Sequence, residues 1–277
     1  MISNILSIDI EEIFHIEYFK KSKKKKYEYR SLKNIPFILD LLKEYNIKAT
    51  FFIVGKIAQK YPEIINIIIK NDHELAFHGW SHIPLWKINQ HSFKSELKRF
   101  LNLHPKCIGY RAPSFSLNEN SKWAIRILKD MSFKYDSSVF PTKTPLYGIS
   151  KAPMKPYKIS TKDLKKENDN GIWEFPLLVH PIMGFKFPTA GGFYLRLLPK
   201  IVHHSIKVQN NKGYPAVIYI HSWELDPDTP RLKLNLKHSF ITYYNIKKTK
   251  KILIDLLENF HFISFKEYLD SINNVKN

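Results

Sequence analysis

"NILSIDIEE", residues 4–12, is an apolar, β-branched run that ends in acidic residues. Strands covered on both faces read this way, and parallel sheets cover both faces of their strands. The acids then stand at the carboxyl end of the strand, where parallel α/β sheets and barrels gather their chemistry. Outward from this stretch the rhythm repeats. "IPFILDLLKEYNI" has helical spacing, and "KATFFIVG" is a second buried strand stopped by Gly55. "YPEIINIIIKND" is a helix with Pro62 at its start, and "HELAFHG" is a third strand. "SFKSELKRFLNLH" is a helix opened by Ser92, and "CIGYRAP" is a strand running into a loop. "ENSKWAIRILKDM" is a further helix, followed by the strand "FKYDSSVF". Residues 141–175 break the alternation with prolines, lysines and glycine, and read as a long surface excursion. "WEFPLLV" and "YPAVIYIHSWE" are late strands, "NIKKTKKILIDLLENF" a closing helix and "HFISF" a last short strand. The alternation predicts a parallel α/β architecture of barrel or doubly wound type.

The 277 residues, 44% hydrophobic and 14% aromatic, suffice for one large domain or two small ones. Lys and Arg number 44 against 25 Asp and Glu, a formal charge of +19. Such a field favours polyanions: nucleic acid, acidic lipid or acidic glycan. The lysines are scattered, however, and no nucleic-acid motif with interleaved aromatics accompanies them, so no nucleic-acid partner is expected. The one dense run, "KKSKKKK" at residues 20–26, leaves open peripheral contact with an acidic membrane. Cys107 is the only cysteine, which excludes an intrachain disulfide and a cysteine-based zinc site. The N-terminus "MISNILSIDIEEIFH" turns acidic by its ninth residue, unlike a secretion signal, and no window reaches the ~18 apolar residues of a membrane helix. A soluble, intracellular chain is expected.

Four polar clusters follow strands: "DIEE", "HGWSH", "RAPS" and "HSWE". Asp9 and Glu11 stand two apart and share a strand face. Two carboxylates there can hold a cation, or one can bind metal while the other acts as a base; a lone D-x-E is more often a solvated turn. His78 and His82 can converge on one ion through a tight loop, with Gly79 permitting close backbone approach. Two imidazoles and a carboxylate suit Zn²⁺ or another divalent transition metal with open positions. Arg111 at a strand end can orient a carboxylate or bind an anion, or form an ordinary salt bridge. His221 directly after an apolar strand can protonate a leaving group, or be a buried structural histidine. Trp80 and Trp223 lie beside these residues and could stack on sugar rings; Trp86 and Trp173 read as core.

Together these stretches resemble the polysaccharide deacetylase superfamily, the family-4 carbohydrate esterases, in its exopolysaccharide-biosynthesis and peptidoglycan branch. "LSIDIEE" is similar to the branch's D-x-[DE] motif, "FHGWSH" to its H-x-x-x-H and "GYRAPSFS" to its R-x-P. "YDSSVFP", "GGFYLRLLP" and "IHSWELDPDTPR" are similar to later signatures. The resemblance covers nearly the whole chain and implies a single catalytic domain over residues 1–277, folded as a distorted (β/α) barrel. It implies a zinc-type N-deacetylase acting on a glycan or its lipid- or nucleotide-linked precursor; the N-terminus without a secretion signal then favours the cytoplasm, and the lysine run leaves open the inner membrane surface. Carried over, Glu11, His78 and His82 are the metal ligands, Asp9 the general base and His221 the general acid. Arg111 steers Asp9, the Ser114 backbone N–H helps form an oxyanion hole, and Asp136 braces Arg111 or His221. Glu12 competes with Glu11 as ligand, because the family writes adjacent aspartates in its first motif; many relatives carry tyrosine where Ser114 stands. A glycosyltransferase using D-x-E for a metal–nucleotide sugar, and a glycan-binding relative with a decayed site, are the alternatives.

Overall fold

Every residue of β1 (Asn4–Ile10) is buried, as a strand covered on both faces must be. Four strands follow it at helix-separated intervals: β2 (Thr50–Ile53), β3 (Glu74–Phe77), β4 (Gly109–Tyr110) and β5 (Tyr135–Asp136). The intervening helices are α1 (Ser31–Glu44), α2 (Gly55–Lys60), α3 (Pro62–Lys70), α4 (Gln90–Leu103) and α5 (Trp123–Asp130). This computed structural model describes residues 2–19, 27–226 and 228–274, so the lysine run at 20–26 lies outside the described residues.

Further on come β6 (Tyr157–Lys158), β7 (Trp173–Glu174) and a separate hairpin, β8 (Val179–Ile182) with β9 (Phe185–Pro188). Helices α6 (Gly192–Leu197) and α7 (Pro199–Asn211) lead into β10 (Val217–His221). The chain ends through α8 (Leu236–Tyr243), α9 (Thr249–Asn259), β11 (Phe262–Ile263) and α10 (Phe265–Asn274). The sheet order is β10-β1-β2-β3-β4-β5-β7-β6, with β11 also on β1. All these pairings are parallel except β6–β7.

The ladder does not close on itself. Residues 177–191 bridge its two sides, the Leu177 N–H donating to Val139 O (3.0 Å) and the Leu178 N–H to Val217 O (3.2 Å). A parallel bridge between Gly191 and Tyr219 completes the seam. The result is a curled half-barrel wrapped by helices, the distorted (β/α) barrel and not the doubly wound sheet.

The core lies between sheet and helices. Phe77 stacks on Phe100 with ring centroids 4.5 Å apart, which ties β3 to α4. Truncating so deep an aromatic costs about 3–5 kcal/mol, so such contacts hold the strand ends in place. Cys107 is buried, and burial pushes its thiol up to about 12, the state of an inert apolar filler.

Three expectations need correction. The α4 cap is Asn89, whose side chain accepts the Ser92 N–H at 2.8 Å, so Ser92 is the donor and not the cap. Residues 141–175 are not a surface excursion: Ile149, Tyr157, Ile159, Leu164 and Ile172 join the core, and β6 and β7 extend the sheet. The helix over 249–259 does not close the chain, since α10 follows β11.

Candidate active site and metal centre

Parallel register brings the polar clusters together. Asp9 on β1 stands level with His221 on β10 and with Phe52 on β2; Ile53 pairs with Phe77, and Phe77 with Tyr110. Glu11, His78 and Arg111 therefore leave the ends of β1, β3 and β4 at one height. Glycine makes the turn that returns His82. Gly79 has φ +71°, and a Cβ there would come within 2.7 Å of Pro113, so only glycine fits without strain.

Glu11, His78 and His82 are buried, and one ligand atom from each lies within 4.8 Å of the other two. Glu11 Oε2 sits against His82 Nε2 and 3.9 Å from His78 Nε2, yet it makes no hydrogen bond of ordinary geometry. A buried carboxylate oxygen left so exposed to two imidazole nitrogens is costly unless a cation joins them. His78 is prepared for that role. Its Nδ1 pairs with Arg111 O at 2.9 Å, which fixes the tautomer and leaves Nε2 as a lone pair facing Glu11. Burial, then repulsion from His82, pushes its pKa to about 4, so the ring is neutral and able to ligate. Burial alone would raise Glu11; the surrounding His82, His221 and His78 instead hold it well below the usual carboxylate range. The residues present therefore fit one divalent cation. Glu12 turns away: both its oxygens accept the Arg30 N–H at 3.0 Å.

Asp9 lies beside this cluster, with Oδ2 3.9 Å from His78 Nε2. Its Oδ1 accepts from Arg111 Nη1 at 2.7 Å. Arg111 is fully buried, donating also to Ser7 Oγ (2.9 Å), Ser137 O (3.0 Å) and Ser137 Oγ (3.0 Å). Its place in this lattice leaves it no reach toward a ligand; it holds Asp9. Ser114 lines the same cavity, of about 330 Å³, on left-handed backbone with φ 55°. Among the described residues its N–H has no acceptor.

His221 closes the ring, with Nε2 3.7 Å from Glu11 Oε1 and the imidazole stacked on Trp223 at 5.3 Å. Burial would depress its pKa, but Glu224 and then Glu11 outweigh burial and lift it to about 9. Glu224 Oε2 holds both His221 Nδ1 (2.9 Å) and the His221 backbone N–H (3.0 Å). Glu224 in turn accepts from Arg196 Nε at 3.0 Å through Oε1. Burial would raise Glu224, but Arg196 and His221 hold it ionised, below its usual value.

With this geometry the similarities to known proteins can be weighed. A family model described as polysaccharide deacetylase matches residues 27–129, and one described as a domain of unknown function (DUF3473) matches residues 137–270. Over residues 27–129 the chain carries the sequence pattern of the polysaccharide deacetylases. A peptidoglycan-N-acetylglucosamine deacetylase of Bacillus cereus is 36% identical over 95 residues, 32% of this chain and 34% of that relative. The chain thus matches only about a third of that relative's length. A solved structure from Mycobacterium smegmatis, named as a candidate polysaccharide deacetylase, superposes with a TM-score of 0.62 at 17% identity. It covers 99% of this chain and 91% of its own. A mutant of a family-4 esterase pseudoenzyme, its enzymatic activity restored, superposes at 0.50 with 14% identity, covering 96% of this chain and 66% of that one. The structural likeness therefore shows the fold, while activity must be argued from the residues.

Most of the expected residues converge on the cavity, whereas Asp136 and Trp80 do not line it. Among the described residues Asp136 makes no hydrogen bond to Arg111 or His221, although the Arg111 charge acts on its carboxyl. It accepts from Ser138 Oγ (2.6 Å) and the Ser138 N–H (3.2 Å), and Ser138 Oγ takes the Ala112 N–H at 2.8 Å. Its neighbour in register is Glu174, pushed well above the usual range by burial and then by Asp136, so that carboxyl keeps a proton. Asp136 thus steadies the loop that carries Ser114. Trp80 is core: it packs on Gly55 under the Arg99 guanidinium, 3.8 Å from the ring. Trp223 does reach the site, donating from Nε1 to Glu11 Oε1 at 3.2 Å. Glu224 and Arg196 were missed. The sequence held one signal for Glu224, its spacing of three from His221 in "HSWE"; nothing local marks Arg196.

Proposed function

We propose that the chain is a metal-dependent hydrolase that removes N-acetyl groups from amino sugars of a polysaccharide or its lipid- or nucleotide-linked precursor. The observation that carries this is the Glu11–His78–His82 donor set flanked on one side by Asp9 and on the other by His221, around a single cavity. A cation held by those three ligands would polarise the acetyl carbonyl and acidify an attacking water. Asp9, anchored by Arg111, takes the water proton as general base. The Ser114 N–H offers a donor to the developing oxyanion. His221, charged at neutral pH through Glu224, gives its proton to the departing amine, which leaves poorly without one.

Zinc is our choice of ion, because two imidazoles and one carboxylate with open positions suit it. Residues 1–277 form one catalytic domain in this reading; β5 and the seam residues continue the sheet across the junction of the two family matches. Among the described residues no helix is long and apolar enough to cross a membrane. A cytoplasmic setting and a precursor substrate are part of this proposal. A glycosyltransferase would need the D-x-E alone, and leaves His78, His82, Arg111 and His221 without a task.

Metal-replete protein incubated with N-acetylglucosamine oligomers and with nucleotide- or lipid-linked intermediates should release acetate from one of these classes. Binding of UDP-sugars without acetate release would reject the proposal in favour of the transferase.

A further inference from the structure

The β8–β9 hairpin is built with its apolar side outward. Register pairs Ile182 with Phe185 and His180 with Phe187, which puts Ile182, Phe185 and Phe187 on one face. Their exposures are 37%, 73% and 45%, and Met183 at the turn is 95% exposed. Soluble hairpins turn the apolar face to the core and the polar face to water. Here the charged residue is the one turned in. Lys186, on the opposite face, donates from Nζ to the carbonyl oxygens of Ser150 (2.9 Å) and Ala152 (3.5 Å). The turn itself projects into open space: Met183 and Gly184 have φ 47° and 82°, and a Cβ added at Gly184 would meet no atom within 4 Å beyond its chain neighbours.

Four side chains on a narrow tip cannot supply the roughly 1,000 Å² that a stable protein interface buries. They can enter the boundary of a bilayer, which needs only a shallow apolar wedge and a basic body to hold it there. The formal charge of +19 supplies that attraction. We infer that this hairpin, led by Met183 and Phe185, is a membrane-docking wedge for a bilayer of anionic phospholipid. Its site is separate from the catalytic cavity and borders it through one loop: Thr142 Oγ1 donates to Lys186 O, while Thr144 to Tyr147 line the cavity.

The test is flotation of the full chain with vesicles of phosphatidylcholine containing phosphatidylglycerol, against phosphatidylcholine alone. Co-flotation with the anionic vesicles only, weakening as salt rises, is expected. The double variant Met183→Glu, Phe185→Glu should lose roughly tenfold or more of that binding, whereas Met183→Leu, Phe185→Leu should keep it. Both positions are exposed, so unchanged thermal unfolding confirms that the fold survives. Equal binding by the double-Glu variant would overturn the inference and transfer the role to the lysine run. Absence of binding with a concentration-dependent dimer would overturn it in favour of a second copy. Acetate release from a soluble oligomer, measured in parallel, reports on the hydrolase independently of any result on vesicles.

Discussion

His221 shows how much one side chain depends on its neighbours. Its folded pKa of about 9 lies above the ~6.5 of an unfolded histidine. The charged ring therefore adds stability that is complete below ~6.5 and is lost as pH rises through about 9. In Glu224→Gln the ring loses its nearest carboxylate. We expect the His221 midpoint of the metal-free chain, followed by NMR, to fall toward the ordinary histidine value. The alkaline limb of kcat/KM should move down with it; a midpoint that stays near 9 would contradict the assignment. A cation at Glu11 offsets that carboxylate's pull, so the metal-loaded ring should titrate below the metal-free one. At this scale the sequence was readable where chemistry sits at strand ends. Asp9, Glu11, His78 and His221 each follow an apolar run, and a polar residue there is conspicuous. Arg196 was not readable, since its partner lies 28 residues away and its own helix is short and apolar. Asp136 was harder to place, because a carboxylate near a strand end looks alike whether it faces the site or a buried Glu174.

Elements decide whether those side chains meet. The tight turn after β3 returns His82 to His78, and Gly79 is its pivot. Gly79→Ala should destabilise the fold by about 1–3 kcal/mol, because alanine there is strained at positive φ and meets Pro113. Chemical denaturation with a chelator present measures this free of metal binding, and affinity for the cation should drop in parallel. An unchanged midpoint and unchanged affinity would show that the turn tolerates a side chain. The central strands β1, β2 and β3 were legible because burial on both faces writes an unbroken apolar run. The two-residue strand β6 was not, since so short a pairing leaves no period and the lysines around it mimic a loop, whereas β7 was read as the start of "WEFPLLV". Helix α8 was hidden for the opposite reason: Leu236 and Phe240 point outward, so its pattern does not follow burial.

At the scale of the whole molecule, the curled sheet sets the polar clusters of four strand ends around one cavity. Alternation of strand and helix announced that arrangement; the seam of residues 177–191, which joins its two sides without a full strand, carries no such signature. The formal charge of +19 is not balanced within the sequence and raises the molecule's attraction for anions. The central claim is that a single ion at Glu11, His78 and His82 serves a hydrolysis run by Asp9 and His221. Elemental analysis of bound metal beside acetate release tests it most directly, on the natural chain, Asp9→Asn and His78→Ala. We predict one metal per chain and acetate release for the first, and metal kept with activity down by ~10²-fold or more for the second. The third should lose both while keeping its fold. An active Asp9→Asn, or a His78→Ala that retains its metal, would contradict the account.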